Sequence, residues 1–169
     1  TLAIATGGSA TVADAPTSAT DITNKAYVDS ISAGLDPKAS VRVATNAALP
    51  AVTAAGSGVG KTLTADSVGV VTIDGQDITA ANSFVVGDRI LVKTQAAPAD
   101  NGIYTVTTLS AAGAALVLTR ATDFDGSPAS EVTGGAFTFV EEGTVAADQG
   151  FVVTTNGTIV VDTDSIAWT

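Results

Sequence analysis

The sequence predicts a mainly β protein: a β-sandwich or barrel-like domain preceded by an extended arm and one short α-helix. Three observations predict it. From about residue 40 onward the chain consists of short runs rich in Val, Ile, Thr or Phe, each bounded by Gly, Asp, Asn or Pro, which is the pattern of strands and turns. Turn-forming pairs recur between the runs: Asp74-Gly75, Gly87-Asp88, Asn101-Gly102 and Asn156-Gly157. The 46% hydrophobic fraction is mostly Ala and Val, with 5% aromatics and 17 glycines, so the core is expected to be built from small and β-branched side chains.

The 169 residues suit one domain and are enough to bury a sizeable core. Residues 1–20 are Thr, Ala, Gly and Ser without a period and read as an extended arm. Residues 21–35 form the one helical segment, with the helix itself fitting 21–33. Thr20 or Asp21 can cap its first amides, Gly34 can stop it, and Pro37 discourages continuation. Tyr27, Val28, Ile31 and Leu35 fall at helical spacing and form one apolar stripe. A helix this short is marginal in water, so the stripe must pack on the chain's own β-domain or on sister chains. The β-domain is expected over 36–169, with strands at 40–45, 62–66, 68–73, 89–94, 103–109, 115–121, 136–141, 150–155 and 165–169. Asn156-Gly157 signals a hairpin between Val152-Val153 and Ile159-Val160-Val161.

Charge restricts the function classes. Charged residues are 14% of the chain, the net charge is −10 and there is no His. Nucleic-acid binding needs a basic stripe to displace counterions from phosphates, and seven scattered Lys and Arg do not supply one. The same acidity argues against anionic membrane surfaces. No apolar run reaches the length of a membrane span, and the start shows no basic region followed by an apolar one. Without Cys or His, Ser–His and Cys–His nucleophile systems and His- or Cys-based metal sites cannot be assembled within the chain. No cofactor site is predicted.

Three segments invite a chemical reading. Ala55-Gly56-Ser57-Gly58-Val59-Gly60-Lys61-Thr62 fits a relaxed phosphate-loop pattern. That motif needs a buried strand before it and a helix after it; Leu63-Thr64-Ala65-Asp66 reads as strand, so a flexible surface loop is expected. Asp123-Phe124-Asp125-Gly126-Ser127 could offer calcium oxygen ligands but lacks the third ligand before Gly and the later Glu of an EF-hand, so an Asp-Gly turn is expected. Glu141-Glu142 are adjacent on a strand and point to opposite faces, which does not make a catalytic pair. Phe137 and Phe139 share one strand face. Core packing is the default for such a pair, and a sugar-binding platform would require exposed rings. Loops on a rigid sheet carry recognition, which makes Asp100, Asn101, Asp123, Asp125 and Ser127 the candidate recognition residues, in loops 96–101 and 123–131, with 143–149 a third.

An ordered series of segments resembles a bacteriophage tail-fibre family. It runs from Ala19-Thr20-Asp21-Ile22-Thr23-Asn24-Lys25-Ala26-Tyr27-Val28-Asp29 through Gly34-Leu35-Asp36-Pro37-Lys38 and Val41-Arg42-Val43-Ala44-Thr45. It continues with Ile73-Asp74-Gly75, Val86-Gly87-Asp88-Arg89-Ile90-Leu91-Val92-Lys93-Thr94-Gln95 and Asn101-Gly102-Ile103-Tyr104. Leu118-Thr119-Arg120-Ala121-Thr122-Asp123, Gly135-Ala136-Phe137-Thr138-Phe139-Val140-Glu141-Glu142-Gly143 and Ile166-Ala167-Trp168 complete it. The resemblance covers most of 16–169 and implies a homotrimeric virion component that contributes to particle assembly and host attachment. In that reading the stripe Tyr27, Val28, Ile31 and Leu35 is the seam between copies. Partners are then other virion proteins at the attachment point and a host-surface glycan or protein. The family pattern runs a few residues past the Trp, so the chain is expected to be part of a longer fibre. A glycan- or receptor-binding adhesin module is the alternative, and a polysaccharide hydrolase ranks below both.

Overall fold

The computed structural model describes residues 16–18, 21, 23 and 36–169. The chain divides into two units, Thr1–Asp36 and Pro37–Thr169. In the first, the amides of Thr17 and Ser18 both donate to the Asp21 carboxylate at 2.9 Å, and the Asp21 amide donates to the Ser18 carbonyl at 3.1 Å. Those two amides hold the Asp21 carboxyl below its ordinary range. Asp21, expected to cap the amides after it in the chain, turns back onto those that precede it. Thr20, Tyr27, Val28, Ile31, Gly34 and Leu35 lie outside the described residues, as does most of the arm.

The second unit is the β-domain. Its strands are β1 (Asp36–Pro37), β2 (Val43–Ala44), β3 (Val52–Ala55), β4 (Thr62–Ala65), β5 (Thr72–Ile73), β6 (Gln76–Asp77), β7 (Arg89–Val92), β8 (Gly102–Thr108), β9 (Val117–Arg120), β10 (Ala136–Phe139) and β11 (Gly150–Val152). Six form one sheet in the order β2-β7-β8-β9-β4-β3; a three-stranded sheet has the order β1-β10-β11, and β5 and β6 pair alone. All pairs in the large sheet are antiparallel except β2 with β7. The three-stranded sheet is extended at its far side by the last residues of the chain, where the amides of Val152 and Thr169 each donate to the other's carbonyl.

Period-two alternation places two cores on the two faces of the large sheet. Val43, Ile90, Tyr104, Val106, Leu118 and Leu63 face one side and are covered by Leu49, Val71, Ile73, Ile78 and Phe84. Ala44, Leu91 and Ile103 face the other and meet Ala136 of the three-stranded sheet with Val140 and Val153, the residues that follow β10 and β11. The central strands are therefore apolar on both faces, as strands buried between layers must be. Phe124 and Trp168 close the second core with ring centroids 5.4 Å apart. The fold is mainly β and sandwich-like, as the composition predicts.

Three local expectations are corrected. The hairpin expected around Asn156-Gly157 does not form: β11 pairs instead with the chain end, through the Val153–Trp168 bridge. Ile159 drops into the second core while Asp164 accepts the Val160 amide at 2.7 Å, which turns the chain away from strand geometry. Of the strand expected over 68–73, Thr72–Ile73 alone is paired as one. A strand not expected from sequence, β3, lies at the edge of the large sheet.

Candidate functional site

The glycine-rich stretch before Lys61 is the β3–β4 hairpin loop. Gly56, Gly58 and Gly60 all take positive φ there, the region that glycine enters without steric cost. The loop leads into strand β4, not into a helix, so no helix N-terminus is available for phosphate. Lys61 is 4% exposed, and its ammonium pairs with Asp100 and, at 2.8 Å, with Asp162. Asp162 also receives Arg120 at 2.5 Å and the Gly58 amide at 2.5 Å. Arg120, whose side chain is fully buried, lies 4.8 Å over the Tyr104 ring and donates to the Asn101 carbonyl at 3.1 Å. The Tyr104 hydroxyl donates to the Asp100 carbonyl at 2.7 Å. Burial pushes the Asp162 carboxyl up; the Lys61 hydrogen bond, the Gly58 amide and the Arg120 charge together outweigh it and hold the group below the ordinary carboxylate range. Burial pushes the Tyr104 phenol well above its ordinary value, Arg120 opposing and the two carboxylates adding. This cluster ties the β4 end, the turn before β8, β9 and the C-terminal segment together. The resemblance to a phosphate loop ends at the glycines.

The other cations are also internal fasteners. Arg42 pairs with Asp88 at 2.8 Å and Glu142 at 3.1 Å while lying 3.9 Å over the Phe84 ring. Arg89 pairs with Asp123 through both carboxylate oxygens. Lys38 donates to the Glu131 carbonyl at 2.8 Å, and Lys93 lies 4.7 Å over the Phe151 ring. Among the described residues no Lys or Arg is exposed, so this surface offers no basic stripe to a nucleic acid.

The candidate recognition residues mostly face inward. Asp100 is held by Lys61 and Asp123 by Arg89. Asn101 is buried, accepting from the Gln95 amide and donating to the Ile166 carbonyl, each at 2.9 Å. Asp125 is buried and accepts the Ser127 amide at 2.9 Å, while Glu131 accepts the amides of Asp125 and Gly126. Ser127 itself is exposed. The carboxylates near 123–131 thus close their own turn or meet a cation, and among the described residues no group of three carboxylates converges as a metal site. Glu141 receives the Ser40 hydroxyl while Glu142 meets Arg42, the divergence expected of adjacent strand residues.

The surface that sequence reasoning assigned to the core is the outer face of the three-stranded sheet. Phe137 and Phe139 share one face of β10 as the period requires, but that face is the solvent side: they are 36% and 41% exposed. The buried partners are Ala136, Thr138 and Val140 on the opposite face. Gly150 is the register partner of Phe139, and a side chain there would collide with the Phe137 ring. The Phe137 ring therefore lies over the bare backbone of Gly150, on the face it shares with Phe139. Only an exposure pattern, not residue identity, distinguishes the two faces of such a strand.

Among the described residues the cations are internal ties, several carboxylates stay exposed, and Phe137, Phe139 and the edge strand β3 are open to solvent. No protein-family model, curated protein or solved structure matches the chain.

Proposed function

We propose that the chain is a structural component of a bacteriophage virion, a trimeric tail-fibre or related appendage subunit that acts by assembly and attachment rather than catalysis. The observation that carries the reading is the ordered series of segments resembling the tail-fibre family. Those segments include Arg89–Val92, the first residues of Gly102–Thr108, most of Val117–Arg120 and all of Ala136–Phe139, strands inside the two sheets, and Trp168, which packs against the second core. The engagement of Asp74, Asp100, Asp123, Glu131 and Asp162 with amides or cations favours this reading over a polysaccharide hydrolase, which needs two carboxylates aimed at one bond. Partners are copies of the chain and other virion proteins at the attachment point. Sedimentation equilibrium tests it: a trimer at micromolar concentration that dissociates on Ile31→Asp supports it, and a monomer with its helix content intact overturns it.

One observation favours a second reading, a glycan-binding adhesin module. The partly exposed rings of Phe137 and Phe139 suit the CH-rich face of a pyranose, which packs against the electron-rich face of an aromatic ring. The expected outcome is that Phe137→Ser with Phe139→Ser weakens binding to isolated bacterial surface polysaccharide at least ~10-fold, about 1.4 kcal/mol. Equal binding by wild type and double variant would dismiss this face as the site.

A further inference from the structure

We propose that β3 is an interface with a second copy of the chain, the two β3 strands pairing antiparallel about a two-fold axis near Thr53. The proposal stands on the β-domain alone and goes beyond the fibre reading, whose threefold seam lies elsewhere in the chain.

The first support is the open backbone. β3 pairs with β4 on one side and ends the large sheet on the other. The Asp66 amide donates to the Ala51 carbonyl, and the Ala65 amide donates the opposite way, to Leu116. Antiparallel alternation then turns the N–H and C=O groups of Ala51, Thr53 and Ala55 toward β4, and those of Val52 and Ala54 away from the sheet. A row of free donors and acceptors spaced along an extended backbone is matched by another extended strand. At the opposite edge of the same sheet, just before β2, the amides of Glu141 and Glu142 donate to the carbonyls of Val41 and Arg42 at 3.0 and 2.7 Å.

The second support is charge. The chain carries −10 overall, and none of its described cations is exposed, so two copies approach each other against like charge over most of their surface. Residues 43–60 contain no charged side chain. The β3 strand itself meets one carboxylate, Asp66, one strand inward, which accepts the Thr53 hydroxyl at 2.7 Å; Asp162 and Asp74 meet the stretch at its ends, at Gly58 and Asn46. In the two-fold pair the β4 backbones that carry Asp66 stand about three strand spacings apart, ~14 Å, with each carboxylate leaning toward the axis through its bond to Thr53. The side chains are small: Thr53, Ala54 and Ala55 are exposed, so little bulk stands between two approaching backbones. A shallow hollow of about 140 Å³ at the start of β3, lined in part by Pro50, Ala51, Val68 and Val70, continues the uncharged surface; Val68 and Val70 are 60% and 57% exposed.

A closed pair of this kind is isologous, so it adds a factor of two to whatever other symmetry the particle has. The test is sedimentation equilibrium of the full chain from micromolar to high-micromolar concentration, with hydrogen exchange on the same samples. The expected result is an even-numbered association in which the Val52 and Ala54 amides slow at least ~10-fold as concentration rises, while the Thr53 amide is protected throughout. Ala54→Pro removes an outward N–H without touching the β3–β4 ladder, and Val70→Asp adds a like charge at an exposed site; each is expected to weaken the association at least ~10-fold. If Ala54→Pro does not fold, Val70→Asp decides. Association indifferent to the folded variants overturns the proposal, as do Val52 and Ala54 amides that stay unprotected or whose protection does not depend on concentration. A threefold assembly lost on Ile31→Asp but unchanged by Ala54→Pro leaves the fibre reading standing and removes this one; a dimer lost on Ala54→Pro but unchanged by Ile31→Asp does the reverse.

Discussion

Replacing Asp162 by Asn isolates the charge at the centre of the buried cluster. The residue sits at φ 66°, a left-handed conformation that Asn tolerates as well as Asp, so backbone strain does not contaminate the measurement. In the native protein one carboxylate oxygen serves Arg120 and Lys61, and the other accepts the Gly58 amide at 2.5 Å. Asn keeps one oxygen and places an NH2 where the second stood, donor against donor. Lys61 retains Asp100, but Arg120, a guanidinium with no exposure and an Nε already without a partner, is left with neutral acceptors alone: the carbonyls of Asn101 and Ala99 and, at best, the amide oxygen. Breaking a buried pair by removing one partner costs about 3–5 kcal/mol, and a shape-preserving change that keeps one acceptor belongs at the lower end. The expected loss is therefore about 3 kcal/mol at neutral pH, or a fall in Tm of about 10 °C for a domain of this size.

Urea unfolding followed by linear extrapolation measures it, with an unchanged slope showing that the folded surface is the same. The pH dependence supplies a second check. The folded-state pKa of Asp162 is depressed, so its contribution is fully present above the unfolded value of ~4 and is lost as pH falls through the depressed folded value. The gap between wild type and Asp162→Asn should be constant from neutrality to about pH 4 and close on further acidification. A gap below about 1 kcal/mol at pH 7 would refute the reasoning, as would one that persists undiminished under acid.

Tyr104 sets an alkaline limit with the opposite sign: its folded pKa is raised, so its contribution is complete below ~10 and is lost as pH rises above that value, and Tyr104→Phe should flatten this limb in a pH series of urea midpoints. Gly102→Ala should be among the most damaging single changes, because φ is 149° and a Cβ there meets the Arg120 guanidinium and the Phe124 ring; a loss exceeding ~3 kcal/mol in the same unfolding assay is expected. Asp74→Asn removes a carboxylate that accepts the Val145 and Ala146 amides and the Asn46 side chain, costing about 2 kcal/mol and accelerating hydrogen exchange at Ala146 while distant strands stay protected. Phe137→Ser should change stability by less than ~1 kcal/mol, the value typical of a surface site rather than a core aromatic; a core-sized loss in thermal unfolding would show that its ring is covered.

Legibility in the sequence depends on which forces leave a pattern there. β7, β8 and β9 were readable because strands buried on one or both faces must carry apolar residues at fixed positions, as Ile90-Leu91-Val92 and Ile103-Tyr104 do. β3 was not, because Val52-Thr53-Ala54-Ala55 buries almost nothing and is held by backbone hydrogen bonds, which any residue but Pro can make. Asn156-Gly157 has the chemistry of a tight hairpin, but pairing is decided by which partner strand is available, and the chain end at 167–169 supplied it. The period of two puts Phe137 and Phe139 on a common face; which face meets solvent depends on the layer beneath, where Ala136, Thr138 and Val140 are all buried. The roles of Lys61 and Asp162, 101 positions apart in sequence, had no local signal. A glycine loop ending in Lys carries the same letters whether the ammonium meets phosphate or two carboxylates.

The internal use of the cations also shapes what the outside can do. Lys61 and Arg120 are buried and Lys38, Arg42, Arg89 and Lys93 are half-buried, each meeting a carboxylate, a carbonyl or a ring. Acidic residues such as Asp66, Asp77, Glu141 and Asp148 remain exposed. A domain built this way repels anionic partners and its own copies over its acidic surface, and two features of that surface carry no charge of their own: the exposed rings of Phe137 and Phe139, and the β3 strand. They differ in what they can bind. Exposed rings favour a partner with apolar C–H surface, whereas free N–H and C=O groups favour another backbone. Salt separates the two in one experiment: raising ionic strength screens repulsion between copies and should strengthen β3 pairing, while leaving polysaccharide stacking nearly unchanged. Association that weakens with salt would place an ion pair at the interface and exclude the uncharged edge as its seat.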